Sequence, residues 1–360
     1  MKTTGAVPFV LALVVLALAS LAFSAPADAV TEIRAAVGAP PKHPMVTPGY
    51  TWYTDAVEKA SGGQIKFRTF YGGQLFSLTG SLQGLKSGVA DMTCLVLPYW
   101  PAEFPHGKFV NDIAMIGTDP VAMAGAVAEF NHLNCKDCLA EFAAQNSVYM
   151  GPYSTDVFYL TARTRITTLD EFKGKKIRSG GGNWTRWIQA LGGVPVSLAG
   201  DEIYQGLSGG VLDASVNSVA NLQGYSLWDV ATDEILLPVG TFHSINLYNF
   251  RKDFWQKLSA AERKVLMDHV PRGIVETTIL YIKQAEDVIA PAKAKESVFT
   301  NRRLLFSRPP RILSSRIWTL SPARQRGSAS RTAGQSSIRC WPWSTSGKTC
   351  RKKRGAISTS

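Results

Sequence analysis

The chain has 360 residues, long enough for two domains, and a formal net charge of +12. The excess charge lies at one end, because residues 301–360 hold 11 Arg and 3 Lys and no Asp or Glu. The first 300 residues carry 25 basic and 27 acidic side chains, a net charge of −2. A nearly neutral body does not predict a nucleic-acid partner, whose phosphates require a basic surface.

The first residues have the pattern of an export signal. Lys2 supplies the positive end, an apolar run follows from Phe9 to Phe23, and small residues at Ala27–Ala29 offer a cleavage site before Val30. A spanning helix needs roughly 20 residues, more than this apolar run provides. We therefore predict a signal peptide over residues 1–29 and a periplasmic mature protein. Retention of the segment as an uncleaved anchor is the alternative.

The basic tail has an unusual composition. Residues 301–360 include 12 Ser and three Trp without periodicity, and they follow abruptly on a helical pattern that ends near Val298. A stretch without acidic residues is typical of a GC-rich gene read in the wrong frame. We predict that residues 299–360 are an aberrant, frameshifted and disordered tail. The alternative is a functional tail that binds nucleic acid or membrane.

Limited trypsin digestion tests the tail prediction. We expect rapid cleavage at the tail arginines, because a disordered terminus is open to proteases, leaving a core of about 30 kDa. A tail that resists trypsin for as long as the rest of the chain would show that it folds, and the frameshift interpretation would be wrong.

The cysteines indicate a local cross-link. Cys135 and Cys138 form a C-x-x-C pair, Cys94 stands alone in a strand-like run, and two more cysteines lie in the tail. A zinc site needs four ligands, and even with His132 as a third the fourth is missing. In an exported chain, a structural disulfide between Cys135 and Cys138 is favoured over redox catalysis, and no metal is predicted.

The body alternates strand-like and helix-like patterns, which predicts an α/β fold with largely parallel sheets. The main predicted strands are Ile33–Val37, Ile65–Phe70, Met92–Leu97 and Phe242–Phe250. The main predicted helices are Tyr50–Ala60, Leu78–Lys86, Val121–Ala144 and Leu258–Ala290. The last helix has a capping box at Ser259 and Glu262, and we expect Pro271 to kink or break it.

A weak internal repeat indicates two lobes of similar build. Gln83–Asp91 (QGLKSGVAD) and Gln205–Asp213 (QGLSGGVLD) agree at six of nine positions. Chain crossings at Tyr149–Tyr153 and Leu237–Gly240 then assign residues 30–152 and 239–298 to the first lobe, with the long helix, and residues 153–238 to the second. Ligands of such proteins bind in the cleft between lobes.

The stretch GKKIRSGGGNW, from Gly174 to Trp184, raises the question of an anion site. Its glycines lack the spacing of a phosphate-binding loop or a dinucleotide fingerprint. Arg178, at the end of a predicted strand, suits a carboxylate, because the guanidinium presents paired donors in a plane. Trp184 would cover an apolar ligand body. The plainer alternative is a solvated arginine and a packed tryptophan.

Three stretches carry a resemblance to a known family: LDEFKGKKIRSGGGNWTRWIQALGGVPVSLAGDEIYQGLSGGVLDA, YGGQLFSLTGSLQGLKSGVAD and GTFHSINLYNFRKDFWQKLS. The chain resembles, from about Thr31 to Ala294, the solute-binding proteins of tripartite ATP-independent periplasmic (TRAP) transporters, the DctP-like family. It looks like the branch labelled mannitol/chloroaromatic or C4-dicarboxylate uptake. The resemblance implies a two-lobe periplasmic solute-binding protein with a hinged central cleft and a long C-terminal helix.

The resemblance also implies site residues. Arg178 occupies the position of the arginine that holds the ligand carboxylate, and Asn217 matches an asparagine that often reaches the ligand. Members that bind a 2-oxo acid through a cation carry Glu-Trp where this chain has Val216 and Asn217, so a metal-bridged ligand is not expected. Sialic-acid binders have a second arginine where this chain has Phe158. The C-terminal helices of the family have no counterpart after Val298.

Further candidates face the predicted cleft from the first lobe. Tyr99 and Trp100 follow one strand, Gln74 follows another, and His43 lies after the first strand; a structural role is an equal alternative for each. The pair Asp201–Glu202 is interpreted as a helix cap. The function predicted is capture of a small organic acid and delivery to a TRAP membrane permease, without a cofactor, by a monomer or dimer. A secreted enzyme that uses the same cleft is the alternative.

Overall fold

A computed structural model describes residues 30–113, 117–295 and 299–300. The predicted signal peptide and residues 301–360 lie outside the described residues. The strands of the first sheet are β1 (Thr31–Ala36), β2 (Ile65–Phe70), β3 (Met92–Val96), β4 (Ser147–Val148), β5 (Pro152–Tyr153) and β11 (Ile245–Arg251). The strands of the second are β6 (Phe158–Ala162), β7 (Lys176–Ser179), β8 (Val194–Ser197), β9 (Ala214–Ser218), β10 (Asp233–Ile235) and β12 (Phe299–Thr300).

The α-helices pack on these sheets. They are α1 (Thr51–Ala60), α2 (Ser81–Lys86), α3 (Phe109–Asp112), α4 (Pro120–Glu129), α5 (Lys136–Ala144), α6 (Leu169–Phe172), α7 (Gly182–Ala190), α8 (Ile203–Ser208), α9 (Asn221–Gly224), α10 (Lys252–Lys257) and α11 (Ala260–Lys295). Short π-helical turns at Met45–Tyr50 and Phe130–Asn134 precede α1 and α5.

The two sheets confirm the predicted α/β class, but they are mixed rather than largely parallel. The strand order is β2-β1-β3-β11-β4 in the first sheet, with β5 also paired to β11, and β12-β10-β6-β9-β7-β8 in the second. Strand β11 runs antiparallel to β3, and β6 runs antiparallel to β9 and β10. The antiparallel strands are those that follow a crossing between lobes, where no helical crossover imposes a parallel direction.

The internal repeat has the same topology in both lobes. The unit β1-α1-β2-α2-β3 places β1 between two parallel partners, and β7-α7-β8-α8-β9 does the same with β7. The shared aspartate has one role in both: the backbone N–H groups of Asp91 and Asp213 donate to the carbonyls of Arg34 and Lys176, each at 2.8 Å. Their carboxylates accept from the N–H groups of the same two residues. The repeated aspartate therefore closes the ladder between neighbouring strands.

The predicted helix Val121–Ala144 is wrong in its continuity. Helix α4 ends at Glu129, and Cys135 leaves helical geometry with φ −129° and ψ 83°. Cys135 is the N-cap of α5, where its Sγ accepts a hydrogen bond from the Cys138 N–H. A disulfide joins the two cysteines. Both helices bury apolar residues, Ala124 and Val127 in α4 and Cys138 and Phe142 in α5, so the apolar periodicity continues across the break and could not reveal it.

Helix α11 is one helix of 36 residues that continues through Pro271, so the predicted break is wrong. An interior proline removes a hydrogen bond and costs about 3 kcal/mol. Packing on both sides offsets this cost, since Leu266 and Val270 before the proline and Tyr281 after it are all buried. The predicted capping box is present between Ser259 and Glu262.

The same helix contacts both lobes, although the sequence assigned it to the first. Near its start, the Leu266 carbonyl accepts a hydrogen bond from the Tyr53 hydroxyl of α1 at 2.9 Å. Near its end, Ala285 packs with Ile203 and Leu207 of α8 in the second lobe. The chain then pairs β12 with β10 of the second sheet, so strand pairing includes Phe299 and Thr300, the first two residues of the predicted tail.

Two carboxyl groups in or beside the second sheet, those of Glu234 and Asp156, are buried and form no salt bridge among the described residues. Glu234 is 1% exposed and accepts a hydrogen bond from the Thr161 hydroxyl at 2.6 Å. Burial raises its pKa to about 8, and burial also raises the pKa of Asp156 to about 7. The folded state therefore holds these protons more tightly than the unfolded chain does.

These raised pKa values predict a stability that declines with rising pH. The contribution is fully present below the unfolded pKa of about 4 and is lost as the pH rises towards the folded values. We expect Glu234→Gln to raise the melting temperature at pH 8 relative to wild type and to flatten the decline between pH 5 and 8, measured by circular dichroism. The control is the exposed Glu286→Gln. Equal pH dependence in both variants would contradict the assignment.

Candidate functional site

A cavity of about 40 Å³ lies between the two sheets. This volume is larger than a single water molecule requires. Its lining comes from both lobes and from α11: His43, Met45, Leu78, Val96, Tyr99, Thr155, Phe158, Arg178, Gly200, Asn221, Tyr225, Phe242, Ile245 and Tyr281. Of the predicted ligand-binding residues, Arg178 and Tyr99 line this cavity. His43, a further candidate for ligand contact, also lines it.

Arg178 is the cation of the cavity. It is the third of the four residues of β7, and the residue is only 4% exposed. The Nε group donates to the Leu198 carbonyl and Nη1 donates to the Val216 carbonyl, both at 3.0 Å. Within the described residues no carboxylate forms an ion pair with it, and Nη2 has no hydrogen-bond partner there. A buried guanidinium that its own chain fixes but does not neutralise is suited to an anion.

The glycine run beside Arg178 makes room for this side chain. A Cβ atom on Gly180 would lie 3.3 Å from Arg178 Nη1 and 3.6 Å from the rings of both Phe158 and Phe242. Any larger residue would press the guanidinium against these rings. Gly180 therefore leaves the space that the arginine occupies.

The N-terminus of α7 is occupied from the other lobe. The Oδ1 atom of Asp112, at the end of α3, lies 2.6 Å from where a Cβ of Gly182 would be. Lys108 pairs with the same carboxylate at 2.6 Å. A carboxylate is favoured at the positive end of a helix dipole. This contact joins the lobes at the mouth of the glycine run.

Two backbone contacts also cross the cleft beside the cavity. The Gly200 N–H donates to the Tyr99 hydroxyl at 2.8 Å, and the Leu78 N–H donates to Asp201 Oδ2 at 3.0 Å. Burial raises the pKa of Asp201, and the Leu78 N–H opposes that rise. The two residues of the predicted cap therefore have different roles. Glu202 accepts a hydrogen bond from the Ala199 N–H at the helix start, whereas Asp201 contacts the first lobe.

Gly200 also brings two phenols together. A Cβ atom there would lie 3.3 Å from the Tyr225 hydroxyl and 3.7 Å from the Tyr99 hydroxyl. Because Leu198, two residues earlier, receives the Arg178 Nε–H, this short segment places Arg178, Tyr99 and Tyr225 around one point.

His43 is an uncharged residue of the cavity lining. Its Nδ1 accepts the Met45 N–H at 3.2 Å, so the ring proton is on Nε2, which lies 3.2 Å from the Tyr281 hydroxyl. Burial lowers the pKa of His43 to about 3. The ring packs against Tyr225 with centroids 4.6 Å apart. His43 therefore joins the two lobes and α11 without adding a charge.

Trp184 and Asn217 lie outside the cavity lining, although the sequence placed both at the ligand. Trp184 is fully buried, donates from Nε1 to the Val239 carbonyl at 2.9 Å, and stacks on Phe158 and Phe242 behind the wall. Asn217 is also fully buried and donates to Thr161 Oγ1 at 3.1 Å. It alternates with Val216 along β9, and its side chain is therefore on the opposite face of the sheet from that of Val216.

Trp100 and Gln74 are also outside the lining of the cavity. Trp100 is partly buried and packs against a separate cluster of the first lobe that contains Phe104 and Phe142. Gln74 is exposed, in a turn whose backbone bonds to Tyr71.

Sequence patterns did not identify most of the aromatic residues that line the cavity. Tyr225, Tyr281 and Phe242 belong to three separate segments, so no local pattern joins them. One signal was available for Tyr281: with Thr277 and Thr278 it forms a buried polar stretch within an otherwise amphipathic helix. Buried polar groups need hydrogen-bond partners, so this stretch predicts contact with polar groups of other elements.

A two-lobed α/β protein with an unneutralised arginine buried between its lobes has the architecture of a solute-binding protein. The chain matches the family model of the bacterial extracellular solute-binding proteins, family 7 (DctP), over residues 36–303. It belongs to this family, which confirms the resemblance found in the sequence.

Individual relatives are distant. The chain is 24% identical over 156 residues to the ectoine-binding periplasmic protein TeaA of Halomonas elongata, covering 40% of this chain and 45% of TeaA. It is 25% identical over 216 residues to the C4-dicarboxylate-binding periplasmic protein DctP of Rhodobacter capsulatus, covering 60% and 63%. The first curated relatives are matched over about half their length, 45% and 51%.

Solved structures share the fold. A TRAP periplasmic solute-binding protein of Xanthobacter autotrophicus Py2 with bound β-D-galacturonate has a TM-score of 0.63 at 18% identity, covering 75% of this chain and 88% of that chain. One from Desulfovibrio salexigens with bound orotic acid has a TM-score of 0.65 at 18% identity, covering 75% and 86%. In the part of this chain that the structure describes, no helix is long and apolar enough to cross a membrane.

Proposed function

We propose that the protein captures a small organic acid in the periplasm and delivers it to a TRAP-type membrane permease. The observation that carries the proposal is Arg178, buried at the cleft with no carboxylate of its own chain to pair with among the described residues. Membership of the DctP family supports a binding role. The predicted signal peptide supports the compartment.

The ligand acts by joining the lobes. It meets Arg178 and Tyr225 on the second lobe and Tyr99 and Leu78 on the first. A ligand that contacts both walls favours the closed state by its differential affinity. The contacts of Tyr99 with Gly200 and of Leu78 with Asp201 close the same edge and add to that preference.

Ligands of similar structures support a carboxylate. Three such TRAP solute-binding proteins are described with bound β-D-galacturonate, D-glucuronate and pyroglutamate. Each of these molecules is a carboxylic acid and would present two oxygens to a guanidinium. The Arg178 guanidinium, pre-oriented by two backbone carbonyls, is matched to this group.

A thermal-shift screen of mono- and dicarboxylates on residues 30–303 tests the proposal, because a ligand that binds only the folded state raises its melting temperature. Hits are then incubated with the protein and recovered. We expect the acid to return unchanged, whereas turnover would favour a secreted enzyme. If no acid raises the melting temperature, the proposed function is wrong.

A further inference from the structure

We propose, building on the proposed function, that the ligand is an apolar monocarboxylate: one carboxylate on an aliphatic or aromatic body, without a second charge and with few hydroxyl groups. The charge of the cavity, its apolar lining and its hydrogen bonding each favour this class of ligand.

The cavity offers one positive charge. Among the described residues that line it, Arg178 is the only Arg or Lys, and the buried His43 is neutral because its pKa is lowered to about 3. Asp201, which interacts electrostatically with Arg178, is an acid. A second ligand carboxylate would therefore lose its hydration shell without gaining a cationic partner.

Six of the fourteen lining residues have apolar side chains. Phe158 and Phe242 stack with ring centroids 5.6 Å apart, and Trp184 stacks behind them on both. Aliphatic side chains complete the surface from the first lobe: Met45, Leu78, Val96 and Ile245. Burying the hydrocarbon of a ligand against these side chains is favourable, and they offer no hydrogen-bond partner to a hydroxyl group.

Most hydroxyls of the lining are already paired within the protein. The Thr155 hydroxyl donates to the Asp156 carbonyl at 2.8 Å and accepts from the Phe242 N–H. Tyr99 accepts from Gly200, and Tyr281 bonds to Tyr153 at 3.2 Å. A polyhydroxy acid would leave several of its own hydroxyls without partners, which strongly disfavours binding.

Few polar groups remain for a ligand besides Arg178. The Tyr225 hydroxyl lies beside Gly200, and the Tyr99 hydroxyl accepts from Gly200 but donates to no group among the described residues. Asn221 Oδ1 has no hydrogen bond within the usual distance and interacts with the nearby ring of His43. Tyr225 is placed to share the carboxylate with Arg178. Asn221 accepts one donor, so a single hydroxyl or amide on an otherwise apolar acid is compatible with the site.

Isothermal titration calorimetry on residues 30–303 tests the class with four probes: 3-methylbutanoate, benzoate, succinate and D-galacturonate. We expect one of the first two to bind at least tenfold more tightly than either of the last two, since a site without a partner for a polar group rejects it by roughly that factor or more. Succinate or galacturonate binding as tightly as the apolar acids would overturn the inference while leaving the proposed function intact. No binding by any acid in the wider screen would overturn both.

A conservative variant tests the wall directly. Val96→Thr replaces one methyl group of the lining by a hydroxyl at nearly equal volume. We expect the preference for 3-methylbutanoate over 3-hydroxybutanoate to fall by about tenfold, the order of one polar group in an apolar pocket. Val57→Thr, buried in α1 away from the cavity, is the matched control. An unchanged preference in a Val96→Thr protein that melts cooperatively would contradict the apolar wall.

Discussion

Replacing Arg178 with alanine is expected to abolish measurable acid binding. The carboxylate would enter a cavity whose lining retains no cation, and loss of a buried charged partner costs about 3–5 kcal/mol, more than a hundredfold in affinity. Calorimetry with the best acid of the screen measures the effect. Circular dichroism should show a folded protein, because the arginine supports its surroundings through only two hydrogen bonds, to backbone carbonyls.

The lysine variant separates charge from geometry. Arg178→Lys keeps the charge but loses the planar fork that reaches Leu198, Val216 and the ligand together, so we expect it to remain strongly impaired. Arg186→Ala, an exposed arginine on α7, is the control and should bind as wild type does. Wild-type affinity in either Arg178 variant would remove this residue from the site.

Replacing Trp184 with alanine is expected to act on stability rather than on the ligand. The side chain is fully buried, stacks on Phe158 and Phe242, and donates to the Val239 carbonyl. Removal of a buried tryptophan costs about 3–5 kcal/mol of the free energy of unfolding. We expect a loss of that size when unfolding by guanidinium is measured.

Trp184→Phe separates the two roles. It keeps the aromatic stack and loses the hydrogen bond, so we expect a smaller loss of stability and an affinity for the acid within about threefold of wild type. Trp228→Ala is the matched control, since that side chain is 52% exposed. A large loss of affinity in the folded Trp184→Phe protein would support the direct ligand contact predicted from the sequence.

Part of this architecture could be predicted from local sequence. The repeat around Asp91 and Asp213 indicated two similar lobes, because a carboxylate that closes a strand ladder must recur wherever the ladder recurs. The position of Arg178 at the end of a strand, followed by glycines, indicated an anion site, because both features are contiguous in the chain. Local hydrogen bonding and steric room fix both signals.

The tertiary structure decided which neighbours share the site with Arg178. Trp184 and Asn217 are close to it in sequence, but stacking behind the wall and strand alternation turn both away from the cavity. Tyr225 and Tyr281 are far from it in sequence and line the same cavity. Residue type and spacing thus predict a carboxylate site at Arg178. The packing of two sheets and a long helix specifies what surrounds the rest of the ligand, because contacts between distant segments leave no periodic trace in the sequence.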